Sequence, residues 1–144
     1  MQKRLIPEYL DKLQVYQSGK PIDEVAREKG LTKITKLASN ENPLGPAPAA
    51  IAAMNSEASG VHIYPDGGGY KLRQALADHH DLDLANVVLG NGSNEIIELL
   101  CHCFLNPKTE LIAAEHAFVV YKLMATLFGA KYVEVADPDF VHDL

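Results

Sequence analysis

Val87-Val88-Leu89-Gly90-Asn91-Gly92-Ser93-Asn94-Glu95-Ile96-Ile97-Glu98-Leu99-Leu100 is the stretch on which the fold turns. Its opening apolar run reads as a buried strand. Gly-Asn-Gly then lets the backbone turn sharply, with positive φ open to the glycines. Ser93 or Asn94 occupies the place of a helix N-cap, and Glu95 and Glu98 favour the first turn. Ile96, Ile97, Leu99 and Leu100 give the helix an apolar side. A strand, a glycine turn and a helix start make an anion site, because free N–H groups and the positive end of the helix dipole face the turn. Phosphate is the guest that such a site fits; a strand-to-helix turn with no ligand is the alternative.

Around this stretch the chain continues in the same rhythm. After the helix, Asn106-Pro107 is a stop. Glu110 to Ala114 reads as a second strand, Ala117 to Phe128 as a helix closed by Gly129, and Lys131 to Val135 as a third strand. The order from Val87 is β-α-β-α-β, which predicts an α/β fold with a mostly parallel sheet and helices packed on it. Upstream, Lys71 to His80 reads as a helix with Leu72, Ala75, Leu76 and His79 on one side. Pro48 to Met54 is Ala-rich and helical. Pro7 to about Val15 and Ile22 to Glu28 are two short helical patterns, the second with Gly30 as C-cap. Two short helices ahead of the first strand suggest an N-terminal arm over residues 1–35, with residues 36–144 forming the start of the sheet domain.

Two loops are denser in chemistry than their neighbours. Ser39-Asn40-Glu41-Asn42-Pro43-Leu44-Gly45-Pro46 is irregular by composition. Ile63-Tyr64-Pro65-Asp66-Gly67-Gly68-Gly69-Tyr70 has three successive glycines that permit close backbone approach.

Composition narrows the partners. The 144 residues are 47% hydrophobic and 22% charged, as in ordinary globular domains, and the net charge of −6 argues against nucleic acid or an anionic membrane. No window approaches a membrane span, and Met1 to Pro7 lacks the apolar run of a signal peptide. Cys101 and Cys103 lie two apart on a predicted helix, face different ways, and read as buried thiols in a reducing cytoplasm rather than metal ligands. Adjacent His79 and His80 diverge for the same reason, so no metal site is expected.

Four stretches in this order carry a resemblance. They are Lys36-Leu37-Ala38-Ser39-Asn40-Glu41-Asn42-Pro43-Leu44-Gly45-Pro46; Tyr64-Pro65-Asp66 with the glycines, Tyr70 and Lys71-Leu72-Arg73; Gly90-Asn91-Gly92-Ser93-Asn94-Glu95; and His116-Ala117-Phe118-Val119-Val120-Tyr121. A weaker fifth is Tyr16-Gln17-Ser18-Gly19-Lys20-Pro21. The chain resembles the N-terminal part of the fold-type I pyridoxal-phosphate aminotransferases, in particular their histidinol-phosphate branch. The resemblance implies the large domain of that fold. It also implies pyridoxal 5'-phosphate as cofactor, with amino-group transfer between histidinol phosphate and 2-oxoglutarate or glutamate in a cytoplasmic homodimer. Gly92, Ser93 and Asn94 then hold the cofactor phosphate, and Phe118 stacks on the pyridine ring where relatives often carry Tyr. Tyr64 reaches the cofactor phosphate of the other subunit. Tyr16 and Asn40 line the substrate pocket. The family's active-site lysine, asparagine, tyrosine and arginine are expected beyond Leu144. No lysine here stands in a Ser-x-x-Lys setting, so no catalytic residue is assigned and the chain alone is expected to be inactive.

Other readings accompany this one. Gly90-x-Gly92-x-x-Glu95 approaches a dinucleotide-binding fingerprint, with Glu115 as the ribose-binding acid, although Glu95 stands where the third glycine belongs. Within the superfamily, threonine-phosphate decarboxylase and aromatic aminotransferases share the cradle. A fragment that is not an enzyme is the last alternative.

Overall fold

Glu110–Ala114 (β1) alternates exposed and part-buried side chains through Ala113, the period of a strand with one covered face, while Lys131–Val135 (β2) exposes Lys131 and Glu134 and part-buries Tyr132, Val133 and Val135. They pair in parallel, from Glu110 against Lys131 to Ala114 against Val135. An ion pair of 2.8 Å between Lys131 and Glu110 marks the first rung. Parallel neighbours need a crossover, and Val120–Leu127 (α5) supplies it. A computed structural model of the chain describes residues 4–14, 16, 19–37 and 39–141. Val15, Gln17, Ser18 and Ala38, which belong to the first short helical pattern and to two of the motifs, lie outside the described residues.

The chain divides into two compact units. One comprises Met1–Val15 and Tyr70–Leu144. In it α5 packs on β1, on β2, on the helix Gly92–Phe104 (α4) and on a 3₁₀ turn at Glu8–Lys12. Ala125, completely buried, and Val120 are the contact points of α5, and Cys101 is that of α4. The helix ends in a Schellman closure: Gly129 N–H donates to Thr126 O and Ala130 N–H to Ala125 O. Gly129 takes φ of +69° there, and its bare Cα faces the Tyr9 ring. Tyr70–His80 (α3) completes this unit, with Ala77 buried.

The other unit, Tyr16–Gly69, holds two helices. Ile22–Lys29 (α1) follows Pro21 and ends at Gly30 with φ of 63°. Lys20 pairs with Glu24 and Glu28 on this helix. Pro48–Glu57 (α2) begins with Pro48 at its first position, where a missing N–H costs nothing, and is exposed throughout.

Four expectations are corrected. Val87 is extended, with φ −108° and ψ 119°, but residues 87–89 join no ladder among the described residues. The carbonyl of Val87 accepts from Arg73 Nε instead. The helix expected from Ala117 starts at Val120, because Ala117 N–H closes a turn on Ala114 O. The helix expected near Pro7–Val15 is a 3₁₀ turn over Glu8–Lys12. Cys101 is buried as expected but Cys103 is exposed, the outcome of two positions about 200° apart on one helix.

A β-carbon at Gly129 would stand 2.8 Å from Tyr9 Cε1. Gly129→Ala in the full-length protein is expected to lose about 1–2 kcal/mol from the left-handed backbone alone, with a further loss from the clash. In urea unfolding, adding Tyr9→Ala should recover the clash and leave the backbone loss. Equal losses with and without Tyr9 would show that the ring does not confine this position.

Candidate functional site

Gly92–Phe104 begins without a side-chain cap. The first N–H groups of a helix have no intrahelical partner, so this end presents donors to whatever faces it. The N-cap is Asn91 rather than Ser93 or Asn94. Glu95 causes the shift: its carboxylate accepts from both the backbone N–H and the side-chain amide of Asn91. Gly92 N–H donates to Gly90 O at 2.9 Å, folding the turn tightly. Gly92 has φ of +80° with open space where a β-carbon would stand. A β-carbon at Gly90 would lie 2.8 Å from Ile96 Cδ1, so the turn also rests on α4. Ser93 and Asn94, second and third in the helix, are exposed beside that open space. The residues present therefore fit a phosphate: uncapped donors, a positive helix end, and an acid already engaged with Asn91.

Arg73 closes one of the four resembling stretches, where motif reading gave it no role of its own. Its Nε donates to Val87 O at 2.9 Å and its second guanidinium nitrogen to Leu84 O at 2.8 Å. One planar cation thereby fastens both ends of the segment Leu84–Val87, which leads into the glycine turn. A guanidinium-shaped pair of carbonyls has no signature in sequence.

Phe118 is half exposed and lies two residues before α5, in the unit that also holds α4. Its carbonyl accepts from Tyr121 N–H at 3.1 Å. Just before it, His116 Nδ1 and Asp137 Oδ1 meet at 2.7 Å. The His116 imidazole is raised above its ordinary value of 6.5, first by the Asp137 hydrogen bond, against the opposing effect of burial, with the charges of Asp137, Glu115 and Glu134 adding to the rise. Asp137 is lowered from 3.8, first by the same hydrogen bond and against the opposing effect of burial. A raised histidine lends stability in full below 6.5 and loses it as pH climbs through its folded value. A lowered aspartate lends stability above 3.8 and loses it as pH falls through its folded value. Both partners are charged throughout the interval between. Glu115 brings a third donor, all three lying within 4.8 Å. At 2.7 Å the histidine and aspartate atoms are hydrogen-bonded, closer than the roughly 3.3 Å between two ligands of one tetrahedral zinc.

Tyr16, Asn40 and Tyr64 belong to the other unit and are exposed, Tyr64 to 98%. Asn42 shapes the Asn40 loop: its Oδ1 accepts from Leu44 N–H and its Nδ2 donates to Gly45 O. After Tyr64, Asp66 Oδ1 accepts from Gly68 N–H at 3.0 Å and the Asp66 carbonyl from Gly69 N–H.

Two parallel strands joined by a helix, with a glycine turn leading into α4, make this an α/β unit. The model of the family "Aminotransferase class I and II" matches residues 32–144, and the chain belongs to that family. Membership decides against the dinucleotide-binding reading. The histidinol-phosphate aminotransferase of Akkermansia muciniphila is 54% identical over 135 residues, 92% of this chain and 37% of that protein. Histidinol-phosphate aminotransferase 1 of Thiobacillus denitrificans is 45% identical over 140 residues, 96% of this chain and 36% of that protein. The chain thus spans about a third of the length of the curated relatives it matches. Among solved structures, histidinol-phosphate aminotransferase from Sinorhizobium meliloti in complex with pyridoxal-5'-phosphate superposes with a TM-score of 0.78. At 19% identity, over 94% of this chain and 36% of that one, it shares the fold. Among the described residues no helix is long and apolar enough to cross a membrane.

Arg73→Met in the full-length protein keeps the aliphatic stem and removes both donors. The expected loss is about 1.5–3 kcal/mol, as for hydrogen bonds from a charged donor to part-buried carbonyls, read by urea unfolding. Faster amide exchange at residues 87–92 should accompany it. Wild-type stability and exchange would show that Val87 and Leu84 do not depend on the guanidinium.

Proposed function

We propose that the chain is the N-terminal part of a pyridoxal-phosphate-dependent aminotransferase that moves an amino group between histidinol phosphate and 2-oxoglutarate. One observation carries this reading: the uncapped start of α4, with Gly92 at positive φ and open space before Ser93 and Asn94. The identity to histidinol-phosphate aminotransferases supports the substrate. Residues 36–144 are read as the first part of the cofactor-binding large domain and residues 1–35 as an arm.

Each residue then has a task in chemical terms. Backbone N–H groups at Ser93 and Asn94 donate to the cofactor phosphate, and Gly92 leaves it room. Phe118 covers one face of the pyridine ring, held by stacking alone because it has no hydroxyl. Tyr64, almost wholly exposed on its unit, donates its phenol hydrogen to the phosphate of the second subunit in a two-fold dimer. Tyr16 and Asn40 line the substrate pocket. Pyridoxal phosphate, when bound, supplies a ring that draws electrons from the substrate carbon. The 144 residues include no lysine in a Ser-x-x-Lys setting, and the chain alone is inactive on this reading.

Ser93→Asp places a negative charge where the phosphate is held. Helix-end contacts of this kind are worth about 0.3–2 kcal/mol, so pyridoxal phosphate should bind the full-length variant about 2- to 30-fold more weakly. Unchanged affinity in equilibrium dialysis would remove Ser93 from the site. Substrate choice is tested separately, by turnover of histidinol phosphate, tyrosine and phosphothreonine in a coupled assay. Histidinol phosphate should be preferred by the full-length enzyme, with no turnover by the 144 residues alone. Preference for tyrosine or phosphothreonine would transfer the assignment to an aromatic aminotransferase or a threonine-phosphate decarboxylase.

A further inference from the structure

Asp137 is the one charged residue buried among the described residues, and its partner His116 is half exposed. Burying a carboxylate costs stability unless it is paired. The pair sits at the carboxyl ends of the two strands, His116 two residues after β1 and Asp137 two residues after β2. Ligands of open α/β sheets bind at that edge. The segment between β1 and α5 is tied residue by residue. Glu115 N–H donates to Val135 O at 2.8 Å, Ala117 N–H to Ala114 O at 3.1 Å, and Tyr121 N–H to Phe118 O at 3.1 Å. His116 is tied by its ring, to Asp137. Those three and the bond from Leu123 N–H to Val119 O are backbone bonds; the tie of His116 depends on a side chain, the Asp137 carboxylate, which meets the ring and also faces the His116 backbone N–H.

A second observation falls on the same histidine. Asp139 and Phe140, neither a glycine, have φ of 55° and 59°. Left-handed backbone at two successive non-glycine residues has to be held by its surroundings. The Phe140 ring lies 4.8 Å from the His116 ring, tilted by 59°. His116 thus joins the exit of β1, the exit of β2 and the strained turn after it.

We propose that His116, fastened by Asp137 and backed by Phe140, is a positioning residue that fixes where Phe118 meets the cofactor ring. This rests on the reading of Phe118 as the stacking residue. His116 touches neither phosphate nor ring in this role; it acts through the two residues that separate it from Phe118. The charged groups facing it are Asp137, Glu115 and Glu134. All three are carboxylates, and the hydrogen bond from His116 holds the Asp137 carboxyl below its ordinary value. A change on the alkaline side therefore reports the histidine.

The test uses the full-length protein with pyridoxal phosphate and three variants, Phe118→Leu, His116→Leu and His116→Asn. Affinity is read by equilibrium dialysis, ring orientation by visible circular dichroism of the bound cofactor, and integrity by thermal melting of the cofactor-free protein. Phe118→Leu and His116→Leu are each expected to weaken binding about tenfold, the scale of one aromatic stacking contact, and to flatten the dichroic band. His116→Asn, whose amide can donate to Asp137 from the place of Nδ1, should restore most of both. The wild-type band should shrink as pH rises above neutrality, and the His116→Asn band should not. If His116→Leu lowers only the melting temperature, with wild-type affinity and dichroism, the proposal fails while the stacking reading stands. If Phe118→Leu itself binds and absorbs as wild type, the stacking reading fails and takes this proposal with it.

Discussion

Everything in the larger unit hangs on the parallel, in-register pairing of Glu110–Ala114 with Lys131–Val135. Parallel pairing forces the chain to return over one face of the sheet, and the crossover is α5. Close packing of that helix on two strands favours small side chains, and Ala125 is completely buried there; Gly129, just past its end, makes room for the Tyr9 ring. The same register brings both strands to an end at one level. Residues 115–118 and 136–137 therefore leave the sheet side by side, and a histidine from one exit finds an aspartate from the other. Shifting the register by one residue would separate them by a strand rise of about 3.3 Å.

The second organising element is a contest for helix-end donors. No side-chain oxygen caps α4, as none caps α1, α2 or α5; α4 differs in being entered through a glycine turn with Gly92 at positive φ. Its best local acceptor, Glu95, is turned toward Asn91 instead. The cost is an end that is poorly satisfied when nothing faces it; the return is an end that favours an anion. Arg73 supports this arrangement from behind by holding the backbone that enters the turn, so the donors start from a fixed base.

Periodicity made much of this legible. β1 and β2 match their sequence boundaries, and α1, α3 and α4 are close, because each has a clear alternation or an apolar stripe with a glycine or proline stop. The tight turn into α4 was legible too, since Gly90-Asn91-Gly92 permits the positive φ that Gly92 adopts. Residues 87–89 were not. Their apolar run is that of a strand, but pairing is a property of neighbours, and the neighbour found here is a guanidinium. The N-cap was misplaced because Asn91, Ser93 and Asn94 are equally good caps in isolation, and the contact of Asn91 with Glu95, four residues on, is not readable from residue type. His116 with Asp137 has no sequence signal either, being a contact across 21 positions that only the register creates.

That separation of 21 positions recurs along the ladder, since Glu110 pairs with Lys131. Closing so short a loop costs little chain entropy, and much of the intervening stretch can be held by its own helix. β1, α5 and β2 can therefore assemble from neighbouring chain, without waiting for distant partners. Parallel sheets are ordinarily slow to form because their contacts are remote. Here the strand pairing spans 21 positions, and the two strand exits lie at the end of that ladder. The edge that carries His116 and Asp137 is thus built from one short stretch of chain.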